Sequence, residues 1–477
     1  MSWPAAVLWL LVIVMPFSRG PSLLYLLMIT RVFGSLTMLP GSTTVLPQTV
    51  CGLVFVAKIA LQPGNVLRII EAAIDPRRLL LFTAFLAYGV CSALALPRMF
   101  AGLFEVIPVS STSFGADILQ PGSGNITQSC YMILSFSIAA AFAVIGQSET
   151  VRDHYRRAIL YSAYAVVLTG LVDLVCFTFG LSAVLEPFRT ATYALLTDVE
   201  SDGVKRVVGL MTEASTYGTA SVGLLAQLTF MRPFYRPGNE QRLVLVAMGL
   251  LAMMAVMSTS STALVGIGMF GLIYGFDLLI RLMNPRNVRR SQINVEILIL
   301  VLGLIGVFMI FVLKPNLFDP LVSLVDSSVL QKTNTASYVE RSMWNRIGWQ
   351  AFLDSGGLGA GLGSIRTSNW AISILGSTGF LGALLMFGFV IQQLMMTPRD
   401  LPQDVLAFTT ALKLALLPAL AMGMLSSTMP DIGIPSAAIL GLLAATHAPR
   451  SAAGRAPRSH GPSPDAARGI GLQKQAC

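Results

Sequence analysis

The sequence predicts an all-α, polytopic integral membrane protein, and three observations carry that prediction. Only 12% of the 477 residues are charged and 54% are hydrophobic, whereas about a quarter of the residues of a soluble protein are charged. The mean hydropathy of the chain is +0.72. Apolar runs recur from Leu8 to Leu443, and many of the 42 glycines and 25 prolines lie inside them, as membrane helices tolerate. These features exclude a string of soluble domains.

The apolar runs are close to the length of a bilayer-crossing helix, which needs roughly 20 residues. They predict about 12–13 transmembrane helices, the second of which is interrupted by Arg31. Arg19 follows the first apolar run instead of preceding it, so this run predicts a retained helix and not a secretory signal. The predicted spans are 5–17, 21–40, 44–62, 79–97, 130–148, 159–177, 213–231, 243–258, 261–280, 293–313, 371–396, 405–425 and 431–447.

The connections between these spans divide into two sets by their content of lysine and arginine. One set holds 19 of the 32 basic residues and the other, although longer, holds 9. Because basic residues concentrate on the cytoplasmic side, the first set is predicted to be cytoplasmic. The cytoplasmic set is 63–78, 149–158, 232–242, 281–292, 397–404 and the Pro- and Arg-rich tail from 448; the outer set is 98–129, 178–212 and 314–370.

This distribution also accounts for the net charge of +9, so no nucleic-acid partner is expected. The five cysteines include no CxxC pair, and neither a disulfide framework nor a zinc site is indicated. Motifs typical of a P-loop, a dinucleotide-binding turn or a zinc protease are absent from the sequence. The three histidines lie on predicted cytoplasmic or near-cytoplasmic segments. Chemistry on the outer side must therefore proceed without histidine.

The 57-residue outer loop 314–370 combines arginine with aromatic residues. Its segment 338–352 predicts an amphipathic helix, on which Arg346 lies about 140° from Arg341 at 100° per residue. A glycine-rich turn and Arg366 follow before the next span. Arginine suits phosphate because its planar fork makes paired hydrogen bonds and stays protonated. The alternative is that this helix simply lies in the headgroup interface.

Two further polar features lie at the outer ends of spans. Arg206 and Glu213 flank the start of the span at 213–231. A carboxylate there is either functional or favoured by the positive end of the helix. The polar segment 258–262 joins two spans and is either part of a site or only a tight turn.

This combination of features resembles the O-antigen polymerase/ligase family, the Wzy-type membrane glycosyltransferases, and most of all the exopolysaccharide polymerases. That family shows Arg-x-x-Gly-Leu-x-x-Glu-(Pro/Ala)-Ser at the start of a central span, matched here from Arg206 to Ser215. A Ser/Thr-rich turn like 258–263 follows, and then a long outer loop with arginine, tryptophan and a Gly-x-Gly-x-Gly turn. The resemblance covers roughly residues 200–390. It divides the chain into N-terminal transmembrane helices (1–200), a family-like core (201–396) with a periplasmic loop (314–370), C-terminal transmembrane helices (397–447) and a disordered basic tail (448–477).

Two departures from the family pattern are informative. Ligases of the family usually carry a histidine in the long outer loop, and loop 314–370 has none, which favours a polymerase. The short turn often reads Ser-Arg-Thr in the family, whereas here it is Thr259–Thr262 without arginine. A ligase acting on an acceptor lipid, or a polysaccharide transporter or flippase, remains an alternative. A transporter is expected to show broken helices or ionisable residues at mid-membrane.

The resemblance implies a metal-independent glycosyltransferase of the bacterial inner membrane without a cofactor. Its substrates would be oligosaccharide repeats on undecaprenyl pyrophosphate, and its partners would be membrane lipids and, as candidates, a chain-length regulator and a flippase of the same pathway. The implied catalytic residues are Arg206, Glu213, Arg341 and Arg346. The implied substrate-binding residues are Tyr338, Trp344, Gly359, Gly361, Gly363, Arg366 and Asn369.

Overall fold

Helices form nearly all the secondary structure in the computed structural model. Their bounds are α1 (Trp3–Val14), α2 (Ser22–Ile29), α3 (Pro47–Ala60), α4 (Asn65–Ile74), α5 (Leu80–Met99), α6 (Ser123–Ile145), α7 (Glu149–Thr178), α8 (Ala214–Met231), α9 (Asn239–Met257), α10 (Ser261–Met283), α11 (Ala336–Asp354), α12 (Trp370–Met395), α13 (Gln403–Ser426) and α14 (Gly433–Ala445). Two antiparallel pairs of two-residue strands, β1 (Glu105–Val106) with β2 (Asp117–Ile118) and β3 (Glu200–Ser201) with β4 (Val204–Lys205), complete them. The residues described are 2–18, 20–41, 44–109, 115–193, 195–197, 200–201, 204–284, 293–294, 296–298, 301, 336–398 and 400–448.

The predicted fold class is confirmed, but long apolar helices are fewer than predicted among the described residues. Seven of these helices are long and apolar enough to cross a membrane, or eight when α3 and α4 count as one bent span. The seven are α5, α6, α7, α9, α10, α12 and α13. The predicted span 293–313 lies almost entirely outside the described residues.

Several predicted spans correspond to helices that are short or bent. The predicted spans 5–17, 21–40 and 431–447 correspond to helices α1, α2 and α14, which have only 12, 8 and 13 residues. The predicted span 44–62 ends in a 107° bend between α3 and α4. Gly64 makes that bend possible with a φ of +79°, a conformation that other residues rarely adopt.

Helix α8 is long enough to span but is not among the seven apolar helices. Thr216, Thr219 and Gln227 lower its hydropathy. It is nevertheless almost fully buried, because it packs against α7, α9, α10 and α13. The polar residues of α8 are therefore shielded from lipid by the neighbouring helices.

The described connections gather at two opposite ends of the helices. At one end, the Arg78 end, the Arg78 guanidinium donates to the carbonyl oxygens of Ala143 at 2.7 Å and Ala444 at 3.3 Å. At the other, the Arg206 end, the Arg366 amide donates to the Ile107 carbonyl at 2.7 Å. The segments at the Arg206 end are 100–109, 115–122, 179–193, 204–213, 258–260, 355–369 and 427–432. The described parts of the predicted outer connections 98–129, 178–212 and 314–370 thus lie at one end.

Residues 1–447 form one compact unit. The divisions predicted at 200 and 396 therefore stay sequence-based boundaries within it. The predicted basic tail from 448 lies outside the described residues, apart from Ala448 itself.

Candidate functional site

Three separate segments meet around Arg206 at the Arg206 end. The backbone amide of Val207 donates to the carbonyl of Met257 at 3.2 Å, which fastens the segment before α8 to the end of α9. The Arg206 guanidinium then donates from Nε to the Thr259 hydroxyl at 3.0 Å. The α9–α10 turn therefore supplies a hydroxyl that orients Arg206.

Thr259 has a strained backbone at this contact. Its φ is +46°, a left-handed conformation in which a β-branched residue is a genuine outlier. Such strain persists where the surroundings over-determine it, and it clusters at functional sites. Here it aims the Thr259 hydroxyl at Arg206.

The charges of Arg206, Glu213 and Arg341 act on one another. Burial lowers the pKa of Arg206, the nearby Glu213 carboxylate opposes this decrease, and the positive charge of Arg341 adds to it. Glu213 is the N-cap residue of α8, and its carboxylate accepts a hydrogen bond from the Ser215 hydroxyl. Three residues predicted to be catalytic, from two parts of the chain, therefore lie close together.

Arg341 lines a polar cavity of about 320 Å³, here called the Arg341 cavity. Among the described residues, no hydrogen bond or ion pair engages its guanidinium. The cavity also brings in Tyr338 and Asn369 of the predicted set, and Ser261 and Thr262 of the predicted polar turn. The complete lining is Ser261, Thr262, Val265, Tyr338, Arg341, Ser342, Asn345, Ser368, Asn369, Met424 and Leu425.

The floor of the Arg341 cavity is held by two asparagines. The Asn345 side-chain oxygen accepts from the Ser368 amide at 2.7 Å, which ties α11 to the start of α12. The Asn369 side-chain oxygen accepts from the Ile372 amide at 3.1 Å and caps α12. Asparagine favours this capping position, so Asn369 has a structural task beside its place in the cavity.

Three other predicted residues lie elsewhere. The Arg366 guanidinium stacks 5.5 Å from the centre of the Trp344 ring and donates to the Val109 carbonyl at 3.4 Å. Trp344 is only 8% exposed. Arg346 is exposed and does not line the cavity. Arg366 and Trp344 thus join α11 to segment 105–109, and burial lowers the pKa of Arg366 while Glu340 opposes the change.

The three glycines predicted to bind substrate pack against protein instead. Gly359, Gly361 and Gly363 are buried, with φ of +84°, +97° and +81°. A Cβ on Gly359 would lie 2.7 Å from the Gly379 amide nitrogen, and one on Gly361 would lie 2.9 Å from the Ser92 carbonyl oxygen. The Gly-x-Gly-x-Gly motif therefore allows a turn to fit between helices.

The backbone amides of this turn bond to α12 where that helix is broken. The break is at Gly379, whose φ of +64° and ψ of −164° are not helical. The carbonyl oxygens of Gly376 and Ser377 accept from the amides of Ala360 at 2.7 Å and Gly361 at 2.8 Å. Broken helices are tolerated within a membrane when other protein groups satisfy the freed backbone. The glycine turn and the broken helix form one unit beside the Arg341 cavity.

Asp173 of α7 holds residues 204–213, here called the Arg206 segment, in place. This role was not predicted from the sequence. One carboxylate oxygen accepts from the amides of Val208 at 3.0 Å and Gly209 at 3.1 Å. The other accepts from Arg189 at 3.2 Å and lies 3.5 Å from the Lys205 ammonium. Asp173 is 1% exposed. The signal was present, since an acidic residue inside an apolar span is rare and marks function or pairing.

Within the described part of the chain, no group of three or more His, Cys, Asp or Glu residues is arranged to hold a metal ion. Comparison with models of known protein families finds no match, and no curated protein sequence matches the chain. Its helices define an α-helical, multi-pass membrane protein. The site adds a pair of arginines and a carboxylate at one end of the bundle.

Proposed function

We propose that this protein polymerises oligosaccharide repeats carried on undecaprenyl pyrophosphate, at the periplasmic face of the bacterial inner membrane. The observation that carries the proposal is the pairing of Arg206 with Arg341 beside the Arg341 cavity. Glu213 offsets one of these two positive charges, and the other remains for an anion to compensate. A pyrophosphate leaving group is such an anion, and fixed donors that meet its growing charge lower the barrier.

The reaction transfers the growing chain from its carrier to a hydroxyl of the incoming repeat. The bond between the sugar carbon and the pyrophosphate oxygen breaks, and its electron pair leaves with undecaprenyl pyrophosphate. The acceptor hydroxyl forms the new glycosidic bond and releases its proton to solvent. Arg206 and Arg341 stabilise the leaving group, and Glu213 orients Arg206 through its charge. A single displacement of this kind inverts the anomeric carbon.

The polar lining of the Arg341 cavity supports a carbohydrate substrate. Tyr338, Ser342 and Asn345 add hydroxyl and amide groups beside Arg341. Its volume of about 320 Å³ lies at the small end of ligand pockets, so it suits a headgroup or a single sugar. The long lipid chain would remain among the apolar helices.

The test is incubation of the purified protein, reconstituted in lipid, with lipid-linked repeats, followed by gel separation of the products. A ladder of lengths supports the polymerase. Transfer only to an added non-carrier lipid would instead indicate the ligase. Product linkages that retain the anomeric configuration would contradict single displacement.

A transporter or flippase is the second candidate, and two observations favour it. Helix α12 is broken at Gly379, and Arg31 lies within a polar cavity among the helices. Both features are typical of transporters. Transfer of a labelled lipid-linked repeat between the leaflets of proteoliposomes, without any covalent product, would establish this alternative over the polymerase.

A further inference from the structure

A second polar cavity of about 350 Å³ lies among the helices, here called the Arg31 cavity. Its wall on α8 follows a single face, formed by Thr216, Thr219, Gly223 and Gln227. Eleven residues of helix separate the first of these from the last, a rise of about 16 Å. The cavity therefore extends from near Glu213 deep into the bundle. Its complete lining is Arg31, Gln48, Met211, Thr216, Thr219, Ala220, Gly223, Gln227, Ala415, Ala419, Met422, Gly423, Ser426, Ser427, Ile432, Pro435, Ser436 and Ile439.

The charge of Arg31 is not compensated by any acidic group among the described residues. The lining contains one arginine and neither aspartate nor glutamate. No described ion pair or hydrogen bond engages the Arg31 guanidinium. Tyr155 interacts with it electrostatically, but the Tyr155 hydroxyl already donates to Gln227 at 3.0 Å. A cation inside a membrane protein without a partner marks a place for an anion.

The remaining donors of the Arg31 cavity point to the same ligand. The Gln48 side-chain nitrogen is buried without an acceptor in the described residues. Ser436 also lines the cavity, and no hydrogen bond to its hydroxyl is found within the same part of the chain. By contrast, the hydroxyls of Ser426 and Ser427 already donate to backbone carbonyls. Arg31, Gln48 and Ser436 are the donors left for a ligand.

The two uncharged donors lie at the starts of helices. Gln48 belongs to the first turn of α3, and Ser436 to the first turn of α14. The backbone amides of Ile432 and Gly433 already bond to the Asp431 carboxylate. Helix α3 begins with Pro47, which has no amide hydrogen, so the side chains are the donors that matter here. An arginine, an amide and a hydroxyl together present more donors than a carboxylate or a halide can use. A phosphate has enough acceptor oxygens, and the planar guanidinium fits it.

We propose that the Arg31 cavity is a second anion site, distinct from the Arg341 cavity, that binds a phosphate or pyrophosphate group. The group comes from a polyprenyl-lipid headgroup or from free pyrophosphate. If the proposed polymerase function holds, this site takes the second of its two lipid-linked substrates, and that extension alone rests on the proposed function. The anion site itself does not.

Equilibrium binding to the full chain in phosphatidylcholine nanodiscs tests the proposal, with labelled inorganic pyrophosphate and labelled undecaprenyl pyrophosphate as ligands. Arg31→Gln removes the charge. Gly223→Leu fills the cavity while keeping Arg31, because a Cβ at Gly223 meets no atom within 4 Å. Arg68→Gln is the matched control, since Arg68 is exposed on α4. Thermal stability of each purified variant establishes that it is folded.

We expect Arg31→Gln and Gly223→Leu each to weaken the binding of one equivalent of ligand per chain at least ten-fold, and Arg68→Gln to leave it unchanged. Binding of both ligands supports a site that recognises the headgroup alone. Binding of undecaprenyl pyrophosphate only supports a site that recognises the lipid-linked group. Full binding by folded Gly223→Leu, or absence of binding of both ligands to the unaltered protein, overturns the proposal.

The double variant Arg206→Ala with Arg341→Ala separates this proposal from the polymerase. It should retain the equivalent bound at the Arg31 cavity, because neither side chain lines it. If the protein forms no polymer yet Arg31→Gln still loses one equivalent, the proposed function is wrong and the anion site stands. If polymer forms and Arg31→Gln binds as the unaltered protein does, the anion site is wrong and the polymerase stands.

Discussion

The Arg341 cavity and the Arg31 cavity are similar in size and charge but differ in construction. Their volumes are about 320 and 350 Å³, and each is lined by one arginine and by no acidic residue. The first is built from segments at the end of the bundle, and the second from the faces of packed helices. Neighbouring residues of α13 serve both, Met424 and Leu425 on one side and Met422 and Gly423 on the other.

The difference shows which kind of binding site can be predicted from the sequence of a membrane protein. The Arg341 cavity draws on short motifs within loops and helix starts, where arginine and tyrosine stand out from their surroundings. The Arg31 cavity draws one or two polar residues from each of several apolar helices. Arg31, Gln48 and Ser436 belong to segments far apart in sequence. Each looks like an isolated polar residue until packing brings them together.

The largest effect is expected from removing the positive charge of Arg206 or of Arg341. Arg341→Ala and Arg206→Ala should each lower polymer formation about 100- to 1,000-fold, as loss of a preorganised donor to a developing anion does. The measurement is the gel ladder, on which lipid-linked single repeats should persist. Arg98→Ala is the control, because Arg98 is exposed at the same end of the bundle. Normal chain lengths in both variants, at normal protein level, would refute the assignment of the Arg341 cavity.

Removing the Asp173 carboxylate charge should disturb the Arg206 segment and spare the Arg31 cavity. Asp173→Asn removes the buried negative charge that faces Arg189 and Lys205, and breaking such a pair costs about 3 kcal/mol. Thermal unfolding in detergent measures this loss, with the exposed Asp117→Asn as control. We expect polymer formation to fall as well, while pyrophosphate binding at the Arg31 cavity persists. An unchanged unfolding temperature would show that Asp173 does not hold this segment.

Adding a side chain to the glycine turn should show whether the turn serves packing or contacts the substrate. Gly361→Ala places a methyl group against Pro97 and the Ser92 carbonyl at a φ of +97°. The combined strain and crowding cost about 2 kcal/mol. Gly249→Ala in α9 meets no atom within 4 Å and should leave the unfolding temperature unchanged or slightly raised. Loss of activity in Gly361→Ala without loss of stability would favour direct contact with substrate.

The smallest effect is expected at the hydroxyl that orients Arg206. Thr259→Val removes the acceptor at 3.0 Å from Arg206 Nε but keeps a β-branched residue. Hydrogen bonds to charged groups contribute about 1.5 kcal/mol, so polymer formation should fall about ten-fold. Thr259→Ser retains the hydroxyl and should stay near the original rate. Equal rates for the valine and serine variants would exclude an orienting role for this hydroxyl.

The sequence alone determined the fold class, the division of the loops and part of the site. Composition and apolar periodicity predict helices because every backbone polar group in a bilayer must be satisfied within its own segment. The sequence also predicted helix 338–352, which the structure extends to Ala336–Asp354. Arg206, Glu213 and Arg341 were singled out as charged residues beside apolar spans, and they lie together.

Tertiary structure alone decided which predicted residues face a cavity and which serve packing. It placed Arg366 on Trp344 and buried the three glycines between helices. It gave Asp173 its partners and assembled the Arg31 cavity. The physical reason is that periodicity reports only local structure. The partners of a buried charge and the residues that close a cavity lie outside the local pattern, and those contacts exist only once the helices have packed.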